Sequence, residues 1–320
     1  MKPRKKIAVI IPWFGSWPGW IEYFLLSCRW NPAIDWIFPS DAPDPCPGAE
    51  NLKFIPCTLQ EFSRKAGERL DLDVDLRFPY KICDFKPAYG HIFSDLIRDY
   101  KFWGYGDLDL VYGAFGDFIP DSLLETHDVI SNHPDFITGH LCLLRNTKKI
   151  RELYATGEAY RKAFTSKYYT GFDERSKPFR INPDPDHLYR QQKADRNIHQ
   201  FRYRTLTKIK KLLPGHIPRI QQKHKPGRAF KDFSSIVKTA EKNGLLKVAY
   251  GNTFESDLML AKQGIRDWEV TWQDGSLRNR DGNEILYFHF MRSKARETFK
   301  IAPFKEGLEK FHISSTGISG

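Results

Sequence analysis

Near the start of the chain, Lys6 to Ile11 (KIAVII) is a continuous, mostly β-branched run that stops at Pro12 and Gly15. Such a run without polar alternation predicts a strand buried on both faces, delivering a loop to the edge of a sheet. A helix is expected from about Trp20 to Arg29, followed by short strands at Asp35 to Pro39 (DWIFP) and Asn51 to Pro56 (NLKFIP). Between those two strands, DAPDPCPGAE is rich in turn formers. The first third therefore alternates strand, helix and strand, which is the pattern of a parallel α/β sheet.

Helical spacing returns at Leu59 to Leu70, at Phe85 to Tyr100 and at Lys148 to Lys162. Strands are predicted at Lys101 to Tyr105 (KFWGY), Asp128 to Ser131 and Gly139 to Arg145 (GHLCLLR). The last portion reads as a β-ribbon: Trp268 to Trp272 (WEVTW), turns at Asp274-Gly275 and Asp281-Gly282, then Ile285 to Met291 (ILYFHFM). The expected fold is α/β: a mostly parallel sheet flanked by helices, with a C-terminal β-ribbon, in a single domain over residues 1–320.

One apolar run breaks its own pattern. In GYGDLDLVYG, from Gly104 to Gly113, two carboxylates sit one residue apart in an aromatic setting with no Lys or Arg beside them. If the strand continues, Asp107 and Asp109 share one side while Leu108 and Leu110 take the other. Burying two like charges is costly, and shared protonation or a divalent cation offsets it. Hard oxygen donors at the carboxyl end of a sheet strand suit Mg²⁺ or Mn²⁺, which would in turn hold a diphosphate. A D-x-D pair is also common by chance as a solvated turn. On the buried-pair reading, Asp109→Ala abolishes activity, leaves the fold intact and raises the melting temperature.

Composition narrows the partners. The chain has 320 residues, 41% of them apolar and 14% aromatic, enough for a substantial core. Its five cysteines form no CxxC pair, which argues against a zinc site or disulfide scaffold and points to a reducing cytoplasm. The opening apolar run is too short for a signal h-region or a membrane span. The net charge of +11 is concentrated: Arg196 to Lys231 holds eleven Lys or Arg and no Asp or Glu. That segment, within a basic insertion or helical stretch at about 161–243, reads as a solvated face, a membrane-docking patch or a nucleic-acid surface. With no nucleic-acid motif alongside it, a solvated face and docking on the anionic inner face of the plasma membrane stand level, and no nucleic acid is expected.

Four segments in order, KIAVIIPWFG, RFPYKICDFKPAYG (Arg77 to Gly90), WGYGDLDLVYG and LYFHFMRSK, resemble an uncharacterised bacterial family found with capsule and lipopolysaccharide genes. That family is similar to the nucleotide-sugar-dependent glycosyltransferases of the GT-A fold. The resemblance implies a GT-A-like domain that moves a sugar from a nucleotide-diphosphate donor to a saccharide or lipid-linked saccharide acceptor, with Mn²⁺ or Mg²⁺ as cofactor. It makes Asp109 the main metal ligand, has Asp107 share the metal or touch the ribose, and has His289 complete the site; taken alone, His289 reads first as a core histidine between Phe288 and Phe290. Lys294 and Arg292 would neutralise a diphosphate. The loop with Pro12, Phe14 and Gly15 would hold base and ribose, with Asp41 as a further base contact.

Asp84 and Lys86, before or at a helix start, become nucleotide-sugar contacts, although Asp84 also reads as a simple N-cap. Asp173 or Glu174 would supply the carboxylate base that inverting transfer needs, and the spacing does not decide between inverting and retaining chemistry. His140, in an apolar stretch, reads as core. The competing classes are a nucleic-acid-binding protein built on residues 196–231 and a divalent-metal phosphoesterase, the latter disfavoured by the lack of HxH or DxH clusters.

Overall fold

The structure is a computed structural model, and it describes residues 6–174, 232–251 and 253–320. All of these lie in one unit built from residues 1–176 and 231–320; the other unit, 177–230, and the basic stretch Arg196 to Lys231 lie outside the described residues.

The expected mostly parallel sheet with flanking helices is observed. Strands β1 (Ile7–Ile10), β2 (Ile34–Ser40), β3 (Leu52–Pro56) and β4 (Phe102–Gly106) pair in parallel in the order β3-β2-β1-β4. Every residue of β1, β2 and β4 is buried, which is why their sequences are apolar without alternation. The sheet continues through β7 (Leu141–Arg145), antiparallel to β4, then β6 (Val129–Ser131) and β8 (Val248–Tyr250). Helix α1 (Ile21–Arg29) crosses between β1 and β2, and α2 (Leu59–Leu70) follows β3, opened by a capping box between Thr58 and Glu61.

Two helices differ from the sequence reading. Residues 85–100 do not form one helix: a 3-10 helix spans Pro79–Ala88 and a short α-helix Tyr89–Ile92. Pro79 starts the 3-10 segment, where its missing amide is no loss, and Pro87 inside it disfavours the α conformation at Lys86. Asp84 is therefore inside this segment, not capping a helix. The predicted helix 148–162 is broken into Lys148–Arg151, a 3-10 turn Leu153–Ala155 and Ala159–Thr165, with Gly157 at φ +98° between them.

The C-terminal ribbon is reorganised as well. Strand β10 (Glu269–Gln273) turns through Asp274-Gly275 into β11 (Ser276–Arg278), as the spacing predicts. Its other neighbour is β14 (Lys310–Ser314), in a five-stranded sheet completed by β15 (Gly317–Ser319) and β13 (Lys300–Ile301). The predicted second arm, β12 (Tyr287–His289), leaves the ribbon and pairs antiparallel with β5 (Leu110–Tyr112) and parallel with β9 (Phe254–Ser256). A long-range pairing of this kind has no local signal, yet it decides where the site forms.

Candidate active site

Asp107 to Asp109 connect β4 of the large sheet to β5 of the small one, as a bend instead of a continuing strand. Three backbone anchors hold this bend. The amide of Asp107 donates to the carbonyl of His140 at 3.1 Å, and Phe290 N donates to Asp109 O at 3.2 Å. Trp20 Nε1 donates to Leu108 O at 2.9 Å, while the Leu108 side chain is buried in the core. The two carboxylates converge because the bend turns them, not because of strand alternation.

Since β12 runs antiparallel to β5 with His289 opposite Leu110, a histidine 180 residues away arrives beside Asp109. One ligand atom each from Asp107, Asp109 and His289 all lie within 4.8 Å of one another. Donors about 2.1 Å from an octahedral cation lie roughly 3–4.2 Å apart, so closing on an ion takes small side-chain shifts. Two carboxylates and an imidazole are a fitting donor set for a divalent cation, with the nitrogen favouring Mn²⁺ over Mg²⁺.

The sequence shows no cation near the pair, but the fold brings two. Lys294 Nζ donates to Asp109 Oδ2 at 2.6 Å, and His289 Nε2 lies 3.2 Å from the same oxygen. Lys86 Nζ donates to Asp107 Oδ1 at 2.5 Å and to Gly139 O at 2.9 Å. Burial alone would push the Asp109 carboxyl up, but the Lys294 ammonium and the His289 ring hold it well below the usual carboxylate range. Burial opposes charge on His289 and Lys294 also, and Asp109 overrides it, leaving both raised. Lys86 is likewise raised well above the ordinary lysine value against its burial, chiefly by Asp107. The expectation that Asp109→Ala relieves like-charge repulsion and raises the melting temperature runs against this geometry: Asp109 is buried in a pair with Lys294, and the half-buried Asp107 has its own partner in Lys86.

Around Lys86 lies a second acidic group. Asp173 Oδ2 is 3.8 Å from Lys86 Nζ, and Asp173 Oδ1 accepts from Tyr169 OH at 2.9 Å. Burial pushes the Asp173 carboxyl well above the usual range, with Lys86 opposing. Glu174 behaves oppositely. Burial would raise it too, but His140 beside it, Lys86 and the Gly139 amide, which donates at 2.9 Å, lower it to about 2. Two adjacent acids are thus driven apart in proton affinity.

Asp84 is fully buried. It accepts from Lys81 Nζ at 2.5 Å, from Thr170 N and Oγ1 at 2.8 and 2.9 Å, and from Phe172 N at 2.9 Å. These bonds tie the loop carrying Asp173 to the 3-10 segment, so Asp84 works as an internal clamp, and the nucleotide-sugar contact expected of it is not what its geometry offers.

At the end of β1, Gly15 at φ +98° points its amide at Asp41 Oδ1, 2.7 Å away, which fixes the loop. Pro12 is buried and Phe14 packs on Phe62 with centroids 5.9 Å apart, so Phe14 belongs to the core and not to a ligand surface. Trp13 and Trp17 are half-buried and stacked at 6.5 Å.

Sequence reasoning missed Asp257, whose Oδ2 accepts from the amides of Arg292 and Ser293 at 2.8 and 2.6 Å and so seats the turn bearing Lys294. It also missed Trp20, over whose ring Lys294 Nζ lies at 5.6 Å. Neither has a local sequence signal.

Fold and cluster together describe an α/β protein with a buried carboxylate–imidazole–lysine site at the end of a parallel strand. The chain belongs to DUF6625, a family of unknown function, whose model matches residues 9–319. No curated protein sequence matches it. Among solved structures it is similar to the glycosyltransferase GlyE of Streptococcus pneumoniae TIGR4, with 13% identity over 79% of this chain and 68% of that chain and a TM-score of 0.30. It is also similar to the galactosyltransferase LgtC in complex with donor and acceptor sugar analogues, with 9% identity over 89% of this chain and 87% of that chain and a TM-score of 0.35. At those scores neither likeness carries an activity across.

Proposed function

We propose that the protein is a divalent-cation-dependent glycosyltransferase, using a nucleoside-diphosphate sugar as donor and a saccharide hydroxyl as acceptor. The observation that supports it is the convergence of Asp107, Asp109 and His289, flanked by Lys86 and Lys294, where the parallel sheet ends. A bound divalent cation would screen the donor's diphosphate and stabilise the charge that develops on it as the leaving group. Asp107, Asp109 and His289 would hold that cation. Lys294, paired with Asp109 and 31% exposed on its side chain, would be the cation best placed to meet a phosphate oxygen, while Lys86, held by Asp107 and Gly139 O, would keep Asp107 in position.

The bond from the anomeric carbon to the diphosphate oxygen breaks, a bond to the acceptor oxygen forms, and the hydroxyl proton goes to Asp173. Asp173 is the acid that faces Lys86, at 3.8 Å, and burial holds its proton affinity above that of Glu174, which is engaged by the Gly139 amide and His140. Among the described residues no helix is long and apolar enough to cross a membrane. The test is a thermal-shift series with nucleoside diphosphates, with and without Mn²⁺. A ligand at 100 times its Kd stabilises by about 2.7 kcal/mol, so one nucleotide should raise the melting temperature only when Mn²⁺ is present. No nucleotide-dependent shift across the series would refute the reading.

A further inference from the structure

His140, which the sequence leaves as core, lies against the cation cluster. It is 7% exposed, and its Nε2 is buried with no hydrogen-bond partner among the described residues. Its ring centroid is 4.7 Å from that of His289, with the planes 37° apart. Its Nδ1 faces Glu174 Oε1 at 3.9 Å, and Glu174 is itself held by the Gly139 amide at 2.9 Å. The backbone oxygen of the same residue anchors Asp107. The other walls are Phe254 and Tyr287, with centroids at 5.1 and 5.5 Å.

A phenyl ring would fill that space without burying an orphaned nitrogen, so packing alone does not account for an imidazole. Histidines that bind metal usually direct their second ring nitrogen at a carboxylate, as Nδ1 is directed here at Glu174. Two imidazoles bound side by side to one ion, each nitrogen about 2.1 Å from it, have centroids roughly 4.5–5 Å apart. The observed separation of 4.7 Å falls in that range.

We propose that His140 is a fourth side-chain ligand of the divalent cation, seated by Glu174 and completing the set with Asp107, Asp109 and His289. This rests on the cation-dependent reading above. Four protein donors would still leave room for donor oxygens in a six-coordinate set, and a second imidazole would weight the site further toward Mn²⁺ over Mg²⁺.

The test is to count imidazoles on bound Mn²⁺ from ¹⁴N couplings in pulsed electron paramagnetic resonance, alongside Mn²⁺ affinity by calorimetry. The wild type should show two coupled imidazoles, and His140→Phe should show one with affinity reduced roughly 10–100-fold. Glu174→Gln should keep both couplings and weaken binding. If His140→Phe does not fold, the wild-type count decides by itself. One imidazole on tightly bound Mn²⁺ overturns the role of His140 and leaves the cation site standing. No Mn²⁺ binding by the wild type overturns both, and unchanged affinity in Glu174→Gln removes the seating role.

Discussion

Replacing Asp109 by Asn keeps the side-chain volume and removes one charge, so its effect is electrostatic and creates no cavity. In the wild type the Asp109 side chain is 8% exposed and pairs with Lys294 and His289. Removing one partner of a buried pair typically costs about 3–5 kcal/mol, because the other charge stays buried alone. Lys294 is 31% exposed and can turn toward water, so the lower end, about 3 kcal/mol, applies. For a chain of this size 1 kcal/mol moves the melting temperature by about 2 °C, giving a fall of roughly 6 °C.

The pH dependence follows from the directions of the shifts. Asp109 is depressed in the fold, so its contribution is present above its unfolded value of about 3.9 and is lost as pH falls through the depressed value. His289 is raised, so its contribution is present below about 6.5 and is lost as pH rises through the raised value. The gap between wild type and Asp109→Asn should therefore be full between about pH 4 and 6.5 and narrow on both sides. Urea denaturation at pH 3, 5.5 and 8.5 measures it. A variant at least as stable as the wild type at pH 5.5 would refute the ion-pair account and restore the like-charge reading.

Asp84→Asn should cost about 3 kcal/mol in urea denaturation and speed proteolysis near residue 170, since it strands Lys81 and loosens the clamp; a loss below about 0.5 kcal/mol would contradict it. Gly90→Ala places a Cβ 2.2 Å from the buried Trp103 ring and should destabilise by 1–3 kcal/mol or more; a neutral effect on the melting temperature would show that the ring can yield. Asp173→Asn should lower kcat about 10²–10⁴-fold and abolish the acid limb of the pH–rate profile, which in the wild type falls as pH drops through the raised Asp173 value. Retention of that limb in the variant would assign the proton to another group.

The large sheet was legible because its strands are buried on both faces and so read as unbroken apolar runs. The aspartates were legible for the opposite reason, as charges where the pattern forbids them. Their neutralising partners were not, since Lys86 and Lys294 reach them from 21 and 185 residues away. His289 stood out only through the resemblance of its motif, because the pairing of β12 with β5 leaves no periodic trace. The helices at 85–100 and 148–162 failed where Pro87 and Gly157 outweighed apolar spacing. His140 read as core for a sound reason: it is buried, and only the unpartnered nitrogen, invisible in sequence, sets it apart.

The most direct measurement is the identity of what the protein releases from a panel of nucleoside-diphosphate sugars with Mn²⁺. Cleavage at the anomeric carbon gives the nucleoside diphosphate, even with water as a slow acceptor, whereas hydrolysis of the phosphoanhydride gives the monophosphate and a sugar phosphate. The account predicts the diphosphate from one donor, its loss on chelation, its return with added Mn²⁺, and its absence with Asp109→Asn. Release of monophosphate, or diphosphate release that survives both chelation and Asp109→Asn, would contradict it.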